Sequence, residues 1–486
     1  MAAFFLLRRL FGLAPWPYHL LCVLVHAANA ALVLRLLLRR YAPAAALGAA
    51  LLFAVLPVHV EAVAYVSELP ETLMTVFVLL AWLSLERPEA AQGRGLLFFA
   101  LALLSKEQAI MFPGILALHD WAFHKTPFWS PKRRGLYLAL AGCAAGYLAL
   151  RTAVLGRPFH VGVDYFAGAP WLTRALTLAK FYVTGLLWPA ASGLGVRYDF
   201  SRPAIPDASA GDALAWACLL TGALALGGAL WRFARGGAGA KPAFWLLSAA
   251  LFFLPASNLI VPLNVIGAQR HLYFPSIGLC LLAGAALARL PRGRAWALAA
   301  ACAWFGARTW LAARAWSDEG TFHAENVRVN PLSASARAGL GAWQAAAGLK
   351  AEAEASFLAA IERDPRDPQS YYNLGRLRWE RGELAGAEAA FRQALERNPG
   401  DADVWIFLAE LAALRKDLPG ARKSLTRAIE LKPWDATAHF NLAGLLLKAG
   451  DARGAARHFR KYLQIDPGAQ DAPQIKALVL RLEGGR

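Results

Sequence analysis

Apolar runs broken by short polar stretches fill the first two thirds of this chain. Ten of them approach membrane-spanning length: Tyr18–Leu38, Ala42–Val58, Thr72–Leu85, Gly95–Leu104, Gln108–Ala122, Leu136–Leu155, Ala213–Trp231, Phe244–Val261, Leu272–Leu287 and Ala295–Ala313. A helix needs about 20 apolar residues to cross a bilayer core, fewer when short segments are tolerated. The pattern therefore predicts a polytopic helix bundle of about ten spans. The fourth and fifth runs are short, and Ser105-Lys106-Glu107 lies between them, either as a tight surface turn or as a charge pair inside the bundle. A further stretch, Trp171–Pro189, carries Arg174 and Lys180 and reads as interfacial or re-entrant. The opening residues make no convincing signal peptide, because Arg8 and Arg9 interrupt the apolar stretch.

Past residue 330 the periodicity changes. Pro331, Pro365, Pro399, Pro433 and Pro467 stand 34 residues apart, which is the tetratricopeptide period. Small and large positions recur within each unit, as in Leu374–Gly375, Ala387, Phe391 and Ala394, then Ala421, Leu425 and Ala428. Each unit is a helical hairpin that buries its apolar face only by stacking on its neighbours. Four such repeats and a tail helix around Gln474–Leu482 form a short solenoid. The expected fold is all-α throughout: a multispan bundle over 1–316, a linker over 317–330 and the solenoid over 331–486. Asn373 and Asn441 face the groove by repeat position. They are candidates for holding a peptide backbone, or they only cap or line the helices.

Composition agrees with a membrane protein. Hydrophobic residues make up 57% and charged residues 17%, with mean hydropathy +0.38; soluble proteins carry about 25% charged residues. The net charge of +18 comes mostly from residues 1–330, which hold 28 Lys/Arg against 14 Asp/Glu. Basic clusters fall at Arg39–Arg40, Arg87 to Arg94, Lys125 to Arg134, Arg232 to Lys241 and Arg289 to Arg294, a positive-inside pattern. No basic face or nucleic-acid motif accompanies them, so nucleic acid is not an expected partner. All five clusters lie on the cytoplasmic side provided that Trp171–Pro189 does not cross. The other face then receives the loop His59–Leu73, the Lys106–Glu107 turn, the loops Gly156–Gly211 and Asn264–His271, and the repeats. If Trp171–Pro189 does cross, the repeats face the cytoplasm. The five cysteines form no CxxC pair and read as packing residues. High Ala and Arg content points to a GC-rich bacterial genome, and hence to a bacterial inner membrane.

Walker, Rossmann, HExxH and GxSxG signatures are all missing, and Asp401 and Asp403 form the one DxD pair, at a repeat start where acids favour a helix N-terminus. Candidate chemistry is left to polar groups on the non-cytoplasmic face. Glu61, Glu68 and Glu71 form one cluster, with His59 beside them; Lys106 and Glu107 form a second; Gln269, Arg270, His271 and Tyr273 form a third. A lipid phosphate needs a cation, for which a guanidinium is well shaped. A hydroxyl attacking an anomeric carbon needs a carboxylate base. Those roles need no metal.

Three stretches carry a resemblance: HVEAVAYVSE, SKEQAIMFPGILALHDW (Ser105–Trp121) and QRHLYFPSIGLCLL (Gln269–Leu282). They look like the signature regions of the transmembrane and tetratricopeptide repeat O-mannosyltransferase family and its bacterial relatives, and the order of bundle then repeats is also similar. The resemblance implies a GT-C glycosyltransferase with no cofactor. Such an enzyme takes a sugar from a polyprenyl phosphate carrier and places it on a protein Ser/Thr hydroxyl outside the cytoplasm. Position by position, His59, Glu61, Ala62 and Val63 fit the first motif, Lys106 and Glu107 the second, and Arg270, Tyr273, Pro275 and Ser276 the third. Glu71 stands where the family has Asp, Leu69 where a basic residue is usual, Gln269 where an acid is common, and His271 at a variable position. The family's first helix, and the loop whose acid is usually taken as the base, precede the part resembled here. Two expectations follow. Either this is a transferase in which Glu61 supplies the base, or it is a noncatalytic scaffold whose repeats recruit partner proteins. A polysaccharide polymerase or ligase is a third, distinguished by a glycan or lipid acceptor.

Overall fold

The structure, a computed structural model, describes residues 2–12, 14–86, 92–156, 170–187, 212–257, 268–329, 331 and 333–484. Most of the expected loop Gly156–Gly211, residues 258–261 of the eighth apolar run, and 264–267 of the Asn264–His271 loop lie outside the described residues. The chain divides into two compact units, Met1–Leu332 and Ser333–Arg486.

The described residues are helical, with no strand among them. In the first unit the helices are α1 (Ala2–Phe11), α2 (Trp16–Leu38), α3 (Pro43–Val55), α4 (Val60–Ala64), α5 (Leu69–Leu85), α6 (Gln92–Ser105), α7 (Phe112–His119) and α8 (Pro131–Leu155). They are followed by α9 (Trp171–Leu187), α10 (Ala213–Arg235), α11 (Ala240–Phe253), α12 (Ser276–Ala288), α13 (Arg294–Arg314) and α14 (Glu319–Val329). Among the described residues, four helices are long and apolar enough to cross a bilayer: Trp16–Leu38, Val66–Leu85, Pro131–Leu155 and Ala213–Arg235. The pair Pro43–Val55 and Pro57–Ala64, bent by 49°, passes the same test when taken together, as a broken span or a re-entrant loop. Pro57 lacks the N–H that would continue the ladder, and Leu56 is extended (φ −70°, ψ 123°), so the bend has a backbone cause. The run Gln108–Ala122 is likewise no single helix. A 3₁₀ turn over Glu107–Met111, then α7, then a π turn over Asp120–His124 make it up.

Helices α6, α11 and α12 run 13 or 14 residues, about 20 Å at 1.5 Å per residue. They stop short of the bilayer's width, and two of them stop where the polar turns begin. α6 ends at Ser105, beside Lys106, and α12 starts at Ser276, just after Arg270–Tyr273. The bundle core is filled by fully buried Phe53, Trp82, Phe99, Phe112, Phe244, Phe252 and Tyr273. Where α3 crosses α12, the helices nearly touch backbone to backbone. A Cβ on Gly284 would lie 2.6 Å from Ala49 N and 2.7 Å from Ala45 O, and one on Gly48 would lie 3.2 Å from Gly284 Cα. Without a hydrophobic drive between helices in lipid, such small-residue contact is a principal source of association.

The second unit is the expected stack of helical hairpins. Its helices are Ala334–Ala346 and Lys350–Arg363, Pro368–Glu380 and Leu384–Arg397, Ala402–Leu414 and Leu418–Leu431, Ala436–Lys448 and Ala452–Ile465, with a closing helix Ala472–Gly484. Two residues after each of the first four repeat prolines stands an N-cap. Ser333, Asp367, Asp401 and Asp435 each accept a backbone N–H from the first turn that follows. Asp401 is thus occupied by the N–H groups of Asp403 and Val404, which is a capping role rather than a nucleotide-sugar one. Within hairpins Gly341 and Gly375 abut the rings of Phe357 and Phe391, whose atoms lie 2.8 Å from where a Cβ would sit.

Candidate functional site

Three stretches far apart in sequence place their charges in one cluster. The bend at Pro57 turns α4 so that Glu61 points inward, buried at 6% exposure. Glu68 is the N-cap residue of α5, and Glu71 lies in that helix's first turn, fully buried. Lys106 is extended between α6 and the next 3₁₀ turn. Arg270 sits on the 3₁₀ turn Gln269–Leu272 that leads to α12.

Their contacts form a chain of alternating charge. Glu61 accepts from Arg270 Nη1 at 2.5 Å through Oε1, and from the Arg270 backbone N–H at 3.2 Å through Oε2. Arg270 Nε stands 3.3 Å from Glu68 Oε1, and Glu68 Oε2 stands 3.3 Å from Lys106 Nζ. Lys106 Nζ also holds Glu71 Oε2 at 2.6 Å. Burial disfavours the Lys106 ammonium, but the carboxylates of Glu71 and Glu68 outweigh it and hold the lysine above its ordinary range. Three carboxyl groups here meet two cations. Acids at the start of α5 also meet its positive dipole end.

A second, uncharged network lies beside it. Tyr273 Oη donates to His26 Nδ1 at 2.6 Å and accepts from Asn29 Nδ2 at 3.2 Å. The His26 tautomer follows from its other nitrogen, which meets the Ala54 carbonyl at 3.1 Å and must therefore carry the proton. By the same logic His59 donates from Nδ1 to the Phe53 carbonyl at 2.9 Å, and its Nε2 lies 2.8 Å from Ser276 Oγ, which also reaches the Tyr273 carbonyl at 2.8 Å. His271 Nδ1 meets Tyr182 Oη at 3.2 Å. Burial, then Lys106 and Arg270, push the His271 imidazole well below its ordinary range, so it is neutral. Next to this network opens a cavity of about 730 Å³. Its lining includes Trp16, Val23, His26, His59, Val63 and Trp316.

The structure thus gathers Glu61, Glu68, Glu71, Lys106 and Arg270 into direct contact and sets His59, His271 and Tyr273 around them. Glu107 stands apart, 40% exposed and 3.6 Å from Arg151. In the repeats Asn373 accepts from Gln369 at 3.3 Å, and Asn441 donates to Glu410 across neighbouring repeats at 3.2 Å. Sequence reading missed His26 and Asn29 in α2 and Tyr182 in α9. The signal was there for the first two: polar side chains inside a 23-residue apolar helix are costly unless used.

At the opposite end of α5, Glu86 binds Arg39 at 2.8 Å and Arg40 at 2.5 Å, and buried Asp120 binds Arg133 at 3.1 Å. His119, Asp120 and His124 bring ligand atoms within 4.8 Å there. Arg133 and the Tyr137 hydroxyl already engage Asp120, and the surrounding guanidiniums oppose a cation.

Fold and composition define the class first: an all-α membrane protein that carries a helical-repeat solenoid. A family model described as tetratricopeptide repeat matches residues 372–435 and 417–470. The curated homologues then bear out the resemblance read from the motifs. A protein O-mannosyl-transferase of Caenorhabditis elegans is 26% identical over 337 residues, covering 66% of this chain and 46% of that protein. One of Mus musculus is 27% identical over 309 residues, covering 56% and 33%. One of Drosophila melanogaster is 27% identical over 446 residues, covering 76% and 48%. The chain therefore spans half or less of the length of each. Among solved structures, YrrB, titled a TPR protein with an unusual peptide-binding site, is 21% identical. It covers 34% of this chain and 84% of that one at a TM-score of 0.30, which adds nothing to the repeat assignment.

Proposed function

We propose that the protein is a membrane glycosyltransferase that moves a mannose-like sugar from a polyprenyl phosphate carrier to a protein Ser or Thr hydroxyl. The observation that carries this reading is the pair of partly buried cations, Lys106 and Arg270, set among three carboxylates at one end of the bundle. A phosphate diester leaving as a monophosphate needs cationic stabilisation. In the transfer the acceptor oxygen bonds to the anomeric carbon as the bond from that carbon to the phosphate oxygen breaks. The phosphate departs on its lipid, held by Arg270 and Lys106, and the acceptor's proton passes to a carboxylate of the cluster. The repeats present the acceptor protein, a use supported by the general role of such arrays in protein binding. The site faces away from the cytoplasm because the opposite end of α5 carries the arginine-rich cluster Arg39, Arg40 and Arg133.

The test is sugar transfer from a polyprenyl-phosphate mannose to a Ser/Thr peptide by the full chain in detergent or liposomes. The combined change Glu61→Gln and Arg270→Ala should abolish it. Transfer that survives both changes removes the cluster from the chemistry.

A further inference from the structure

The three acids of the cluster do not hold their cations alike. Glu61 and Glu71 each make one short contact, 2.5 Å to Arg270 and 2.6 Å to Lys106, and both residues are buried. Glu68 makes two long ones, 3.3 Å to Arg270 Nε and 3.3 Å to Lys106 Nζ, with its side chain 15% exposed. Its carboxylate is the group that bridges the two cations, one oxygen on each. It sits on a 3₁₀ turn with no side-chain cap bond, at the N-terminal end of α5. An oxyanion with two oxygens, placed between a guanidinium and an ammonium at a helix N-terminus, occupies the geometry that a phosphate takes.

We infer that Glu68 is an internal stand-in for the donor's phosphate, occupying the anion position between Arg270 and Lys106 until the lipid phosphate displaces it. This rests on the reading of the cluster as a phosphate site. Two consequences follow. Donor affinity is set by competition with Glu68, so the residue costs binding that a neutral side chain would return. Glu68 also keeps two partly buried cations compensated while the site awaits its substrate, when uncompensated charges would be costly. Glu61 and Glu71 remain in place during the exchange, because they hold their cations by the shorter contacts.

The experiment measures binding of farnesyl phosphate, a short polyprenyl phosphate without sugar, to the detergent-solubilised full chain, with farnesol as the lipid-only control. The proteins are the parent, Glu68→Gln, Glu68→Ala and Arg270→Ala. Either Glu68 variant should bind farnesyl phosphate at least about tenfold more tightly than the parent, with farnesol binding unchanged. Arg270→Ala should lose the phosphate-dependent part. Glu68 variants that bind equally or more weakly, while Arg270→Ala still loses binding, overturn the stand-in role and leave the phosphate site standing. An Arg270→Ala protein that binds as the parent does overturns both.

Discussion

Replacing Lys106 by Met tests how the cluster is held together. Lys106 Nζ is 2.6 Å from a carboxylate oxygen of Glu71, a residue with no exposure. The other oxygen of Glu71 has no hydrogen-bond partner among the described residues. Methionine keeps the apolar stem and removes the charge, so Glu71 is left buried beside Glu68 with its cation gone. Breaking a buried pair from one side costs about 3–5 kcal/mol. At about 2 °C per kcal/mol for a unit of this size, the unfolding midpoint should fall by roughly 6–10 °C. The chain supplies its own probe: Cys22, Cys218 and Cys280 are buried free thiols of the first unit, and a thiol-reactive dye reports their exposure on heating. Adding Glu71→Gln to Lys106→Met removes the stranded charge and should restore at least half of the lost midpoint. The reasoning is refuted if Lys106→Met melts within about 2 °C of the parent, or if the double variant is no better than the single one.

Two other outcomes follow from packing and charge. Gly284→Val, whose Cβ would fall on the backbone of Ala45 and Ala49, should cost more than the roughly 1–3 kcal/mol of ordinary overpacking. Gly142→Val, with nothing within 4 Å of its Cβ, should melt as the parent does in the same thiol assay. In the repeats, hydrogen bonds from Arg378 and Arg381 hold the Glu354 carboxyl below its ordinary range. A depressed acid stabilises above its unfolded pKa of about 4.3 and loses that contribution as pH falls through the lower folded value. Glu354→Gln should therefore lower the circular-dichroism midpoint of the repeats slightly at pH 7, by no more than about 0.5 kcal/mol after screening. At pH 3 the gap should narrow.

The repeats were readable because they state themselves four times: proline, cap and small–large positions recur at a fixed spacing, and each hairpin's contacts are local. The membrane helices were readable as apolar runs, but their breaks were not. Hydropathy cannot register that Leu56 is extended before Pro57, or that Gln108–Ala122 passes through 3₁₀, α and π turns. The charged groups of the cluster could be named from sequence because charge between apolar runs stands out. Their pairing could not, since Glu61 and Arg270 are 209 residues apart and only the crossing of α3 with α12 brings their turns together. Tyr182 was invisible for a different reason. A tyrosine in an amphipathic helix signals nothing until its hydroxyl is seen on His271.

Helix α5 is pinned by ions at both ends, through Glu71 to Lys106 and through Glu86 to Arg39 and Arg40. Fifteen residues separate the two acids, about 22 Å of helix, whereas an unperturbed hydrocarbon core is about 30 Å thick. Ion pairs at both ends hold the helix against sliding along its axis. With α5 fixed at both ends, Lys106 and Arg270 are held at a constant level along it relative to Arg39 and Arg40, and any ligand of the cluster has to come to that level.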